Sequence, residues 1–129
     1  MTEEIANPHK GRTGLDRVIR ATGYSMNGLA LAYRGESAFR QEFWLAVVLV
    51  PAAFWLGRTW VEVALLAGSV LLVLVVELLN SAVEAVIERY GPEFHELAGR
   101  AKDMGSAAVF VCMVNMLVCW GLVLWPRVS

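Results

Sequence analysis

The sequence predicts an all-α integral membrane protein: three transmembrane helices preceded by an amphipathic N-terminal helix lying in the membrane interface. Three observations carry this. Hydrophobic residues fill 57% of the 129 positions, more than an ordinary soluble domain holds. They gather in three runs, 43–56, 63–79 and 107–125, of which only the second contains a charge, Glu77. The formal net charge of -1 hides a segregation, because charged residues crowd into the first forty positions and the segment 84–103. No basic face suited to nucleic acid emerges, so no nucleic-acid partner is expected.

The elements follow in chain order. Residues 1–13 are polar and basic, lack the apolar h-region of a signal peptide, and are expected to form a disordered tail. From about 14 to 34, Leu15, Val18, Ile19 and Thr22, then Met26, Leu29, Ala30 and Tyr33, recur at helical spacing opposite Asp16, Arg17 and Arg20. That pattern fits a helix in the interface, or one packed on the bundle. The first apolar run is shorter than the roughly 20 residues a span needs, so the helix is expected to begin near Ala38 and to reach 56, with Pro51 tolerated inside it. Gly57-Arg58-Thr59 makes a tight turn.

The second span runs from about 62 and continues past the membrane edge to 89, since Gly91-Pro92 is the first clear stop signal. Pro92 suits the first turn of the next helix, whose polar start leads without a breaker into the third span, 98–125. Trp44, Trp55, Trp60, Trp120 and Trp125 fall mostly near span ends, as interfacial aromatics do. Cys112 and Cys119, seven apart, share a face and read as ordinary small apolar residues.

Orientation follows from Lys and Arg. Lys10, Arg12, Arg17, Arg20, Arg34 and Arg40 precede the first span, and Arg89, Arg100 and Lys102 lie between the second and third, against Arg58 and Arg127 on the other side. The positive-inside rule puts the N-terminus and the second loop in the cytoplasm and the C-terminus outside.

The chemistry concentrates on one stripe. Glu77, Asn80, Ser81, Glu84 and Glu88 share a helical face that leads from the apolar run into water. A carboxylate at the end of a span costs a few kcal/mol against lipid, so Glu77 should face protein or a wet cavity, where a partly desolvated carboxylate suits a general base. Three acids on one stripe repel unless a cation compensates them. Mg²⁺, which takes oxygen ligands from one or two carboxylates plus substrate phosphates, is the natural candidate, and Glu36 could add an oxygen. Solvated pairing of Glu84 and Glu88 with Arg89 or Arg100 is the plainer alternative. Arg100, Lys102 and Asp103 form a charged turn suited to phosphate contacts, or simply a membrane-flanking cluster. His95 beside Glu96 has no zinc-ligand spacing to His9, and neither a Walker A sequence nor a protein-kinase signature is present.

Three motifs in register then carry a resemblance: Glu-Ser-Ala-Phe-Arg-Gln-Glu at 36–42, Val-Glu-Leu-Leu-Asn-Ser-Ala-Val-Glu-Ala-Val at 76–86, and His-Glu-Leu-Ala-Gly-Arg-Ala-Lys-Asp-Met-Gly-Ser-Ala-Ala-Val at 95–109. From about Gly14 to Trp125 the chain resembles the small integral-membrane diacylglycerol kinases of bacteria. The resemblance implies a homotrimer in the inner membrane, with sites shared between neighbouring subunits, that phosphorylates sn-1,2-diacylglycerol to phosphatidate with Mg-ATP. It implies that Glu77 is the general base and that Glu36 and Glu84 bind Mg²⁺. Asn80, Lys102 and Asp103 match further polar residues of the site; Arg17, Tyr24, Glu93, Phe94 and His95 match nucleotide contacts; Arg40, Gln41 and Ser106 belong to the same motifs. The resemblance leaves undecaprenol as an alternative acceptor. Outside the family, a small proton-coupled transporter subunit or a non-catalytic assembly subunit, with Ala64 and Gly68 as a small-residue contact face, are the competing readings.

Overall fold

The computed structural model describes residues 14–89 and 96–128, and they are almost entirely helical. Four helices follow in order: α1 Gly14–Gly35, α2 Ser37–Leu56, α3 Trp60–Glu88 and α4 Glu96–Val128. The expected tail at 1–13 and the Gly91-Pro92 stop lie outside the described residues. The chain divides between Leu31 and Ala32 into two compact units.

The first unit is the body of α1. Arg20 pairs with Asp16 one turn away at 3.4 Å, an exposed i,i+4 pair worth a few tenths of a kcal/mol. The hydroxyls of Thr22 and Ser25 donate back to the carbonyls of Val18 and Ala21. Leu15, Val18, Ile19 and Met26 are exposed.

The second unit begins with the last turn of α1. Glu36 is the single extended residue (φ -123°, ψ 110°) between α1 and α2. Arg40 fastens this break: its Nη1 donates to the carbonyls of Tyr33 at 2.7 Å and Arg34 at 3.2 Å, which as late helical carbonyls have no partner within α1. Tyr33 stacks edge-on against Phe43 and accepts a hydrogen bond from Trp44 Nε1 at 2.9 Å.

α2 runs through Pro51 to Leu56, and the turn into α3 is closed by several contacts. Thr59 caps α3 by accepting from the Glu62 N–H at 3.1 Å, while Glu62 Oε2 accepts from the Arg58 N–H at 3.2 Å, a variant of the reciprocal capping box. Gly57 is required by close approach, because a Cβ there would stand 2.5 Å from Val63 Cγ2 and 2.9 Å from its nitrogen.

α3 lies between α2 and α4 and packs on both. It runs antiparallel to α4: Gly105 meets Asn80, Cys112 Sγ approaches the Leu72 carbonyl, Trp120 Nε1 donates to the Leu66 carbonyl at 3.1 Å, and Arg127 reaches Glu62. The tightest packing joins Ala53, Leu66 and Ala67, flanked by Val50, Leu56, Trp120 and Val123. Trp120 therefore serves the helix contact as well as any interfacial role. Cys112 is buried and Cys119 half-buried, both as free thiols.

Outside this seam the surface is apolar. Trp55, Val48, Phe110, Leu117 and Leu122 are all exposed, far more apolar surface than a water-soluble monomer shows. α2, α3 and α4 are each long and apolar enough to cross a membrane, and the chain is an integral membrane protein. At 1.5 Å per residue the 29 residues of α3 extend roughly 43 Å, beyond a hydrocarbon layer of about 30 Å.

Candidate active site

The acidic site grows out of the middle helix. Glu77 is one of two buried polar residues among those described, only 6% exposed. Ser69, the other, satisfies itself on the Leu66 carbonyl of its own helix. Among the described residues Glu77 has no such partner. The charges that act on it come from Glu42, Glu36 and Glu84, so the start of α2 and the latter half of α3 bring four carboxylates into one region. Among the described residues none of the four carboxylates has an ion-pair partner. Ion pairs here join Arg20 to Asp16 and Arg127 to Glu62.

Glu42 was not singled out by sequence reasoning. Its signal was its place directly before the uncharged run, where an acid is costly for the same reason as at Glu77.

Further along α3, Ser81 and Glu84 are half-buried and Glu88 is exposed. Asn80 turns toward α4, its Oδ1 buried without a hydrogen-bond partner among the described residues. It sits in an apolar cleft of about 400 Å³ lined by Val76, Leu79, Val83, Met104, Gly105 and Ala108, among others. Lys102, Asp103 and Ser106, on the first turns of α4, are exposed and make no hydrogen bond or ion pair among the described residues. Gln41 is exposed, and Arg40 is engaged on the α1 carbonyls. Arg17 and Tyr24 belong to the first unit. Glu93, Phe94 and His95 lie outside the described residues.

The donor set bears on a metal. Among the described residues no three His, Cys, Asp or Glu side chains gather closely enough to hold an ion by themselves. Mg²⁺ keeps several waters and is commonly held by one or two carboxylates together with substrate phosphates. Hard oxygen donors without a cation of their own are the right chemistry for it.

Fold and site together define a multi-span membrane protein with a buried carboxylate, backed by further acids, at one end of its helices. The chain belongs to the prokaryotic diacylglycerol kinase family, whose profile matches residues 23–124. It is 51% identical to a diacylglycerol kinase of Haemophilus influenzae over 88% of this chain and 96% of that one. The identity to the diacylglycerol kinase of Escherichia coli K12 is 50% over 89% and 94%, and to that of Pseudomonas aeruginosa 52% over 92% and 96%.

Proposed function

We propose that this chain transfers the γ-phosphoryl group of ATP to the free hydroxyl of sn-1,2-diacylglycerol, giving phosphatidate and ADP. The carrying observation is Glu77, buried and within electrostatic reach of Glu42, Glu36 and Glu84, in a chain about half identical to diacylglycerol kinases.

Depth along α3 supports the division of labour. Counting from Trp60, Glu77 lies roughly 26 Å along the helix and Glu84 roughly 36 Å; against a hydrocarbon layer of about 30 Å, the first stands just inside the edge and the second outside it. A glycerol hydroxyl anchored by acyl chains meets Glu77 at the edge, while ATP arrives from water beside Glu84. Glu77 accepts the hydroxyl proton as the oxygen forms its bond to the γ-phosphorus and the bond to the β-bridging oxygen breaks, leaving ADP. Phosphoryl transfer asks chiefly for such positioning and charge neutralisation. Glu36 and Glu84 would hold Mg²⁺, which when bound neutralises the phosphate charge. Asn80 and Lys102 are the donors available to the transferred group, and Asp103 is a further polar residue of the site. Arg17, Tyr24 and the segment 93–95 contact the nucleotide, and Arg40, Gln41 and Ser106 frame the lipid headgroup.

In this reading the protein sits in the bacterial inner membrane as a homotrimer, with N-terminus and acidic end cytoplasmic and the Arg58 and Arg127 end outside. α1 lies in the headgroup layer on its apolar side. The deciding experiment is transfer of labelled phosphate from Mg-ATP to diacylglycerol, and in parallel to undecaprenol, in mixed micelles. Diacylglycerol should be labelled preferentially, with labelling lost on chelation of Mg²⁺ and in Glu77→Gln. Preference for undecaprenol would reassign the acceptor, and no labelling by folded protein would overturn the kinase reading.

A further inference from the structure

Asn80 and Gly105 meet where α3 and α4 cross at the acidic end, and their contact has an unusual form. A Cβ built on Gly105 would fall on Asn80 Oδ1 and stand 3.2 Å from its Cγ. The hydrogen that a side chain would replace therefore faces that oxygen, a weak Cα–H···O contact. Oδ1 is otherwise buried without a hydrogen-bond partner among the described residues. A buried amide oxygen is normally paired, so its position needs a reason.

The reason lies in the other half of the amide. Oδ1, Cγ and Cβ are the three atoms nearest to the Gly105 Cβ position; Nδ2 is farther off, turned away from α4. Asn80 stands between Glu77 and Glu84 on the acidic stripe, one turn from each. The geometry points to Gly105 as a positioning residue for the phosphoryl-transfer site: its bare Cα lets α4 come close enough to hold the Asn80 carboxamide with its oxygen against the helix and its Nδ2–H donors free for the oxygens of the reacting group. This inference rests on the reading of Asn80 as a site residue.

The test is a double-mutant cycle on Gly105→Ala and Asn80→Ala in the full chain, read by diacylglycerol phosphorylation and by thermal unfolding in detergent. Gly105→Ala should lower kcat about a hundredfold by displacing a positioned group by an ångström or so, with KM for Mg-ATP within about threefold. It should also lower the unfolding temperature. In the Asn80→Ala background the overlap is gone, so Gly105→Ala should leave the residual rate unchanged and raise the unfolding temperature, as alanine for glycine does inside a helix. Should Gly105→Ala fail to fold while the double variant folds, the overlap with Asn80 is its cause, as proposed. Normal kcat in Gly105→Ala, equal losses in both backgrounds, or failure of both variants to fold would each overturn the positioning role. Full activity in Asn80→Ala would instead remove Asn80 from the site, a distinct failure of the functional reading.

Discussion

Arg127 and Glu62, sixty-five positions apart, close the end of the bundle remote from the acidic site. Arg127 Nη2 donates to Glu62 Oε1 at 2.6 Å and its Nη1 to the Leu56 carbonyl, while the other Glu62 oxygen accepts from the Arg58 N–H. One carboxylate thus ties the last turn of α4 to the start of α3 and, through the arginine, to the end of α2. The pair is 15% and 25% exposed, shielded enough for its hydrogen bonds to count.

Arg127→Ala should therefore lower the unfolding free energy by about 1.5–3 kcal/mol, the range for hydrogen bonds to charged groups. Kinase activity at temperatures below the transition should stay within about twofold, because the acidic site lies at the opposite end of α3. Denaturant unfolding with and without Glu62→Gln would check it: if the two losses simply add, the clamp does not exist.

Leu66 is fully buried between Ala53 and Ala67. In lipid the transfer term for an apolar side chain is small, since acyl chains are as apolar as leucine, and packing remains. Leu66→Ala should cost about 2 kcal/mol, the low end of the range for such truncations. Leu65→Ala, at an exposed neighbour, should cost far less; equal costs would show that helix packing is not what stabilises this seam.

Arg40 holds the carbonyls of Tyr33 and Arg34 just before Glu36, and its own N–H bonds the Glu36 carbonyl at 3.1 Å just after. Arg40→Met keeps the apolar stem and removes the cap, at a cost of about 1–3 kcal/mol locally. Amide hydrogen exchange at Glu36 and Arg40, whose N–H groups bond the Ala32 and Glu36 carbonyls, should accelerate about tenfold or more. Unchanged exchange there would assign Arg40 wholly to the lipid headgroup.

Glu77→Gln preserves shape and removes the proposed proton acceptor. kcat should fall about a hundredfold or more, the usual contribution of a positioned base, with the unfolding temperature held or raised because a buried carboxylate is replaced by a neutral amide of the same shape. Retained turnover would remove Glu77 from the chemistry.

Much of this architecture was legible in the residues, and the boundary of legibility is physical. Hydropathy marks the three apolar helices because lipid demands it of every turn, and the stripe from Glu77 to Glu88 is visible because 3.6-residue spacing lines it up. Partnerships between helices are different. That Arg127 finds Glu62, that Trp120 donates to Leu66 rather than to the interface, that Gly105 admits Asn80 and that Glu42 joins Glu36 beside Glu77 all depend on how each helix is rotated about its axis. In a nearly uniform apolar sequence no hydrophobic face fixes that rotation. Arg40 illustrates the same limit, since nothing in its motif reveals that its guanidinium caps α1.

α3 is one uninterrupted rod from Trp60 to Glu88, and Glu77 and Glu84 ride on it about 10 Å apart along the axis. Their separation is fixed, but their height relative to the lipid depends on the lipid. In a bilayer a few ångströms thicker, with the Trp60 end held at its interface, the hydrocarbon would rise past Glu77 toward Glu84; in a thinner one Glu77 would stand in the headgroups, away from a diacylglycerol hydroxyl. On the proposed role of Glu77, turnover should then depend on the acyl-chain length of the surrounding membrane, with an optimum set by the seventeen-residue reach from Trp60 to Glu77.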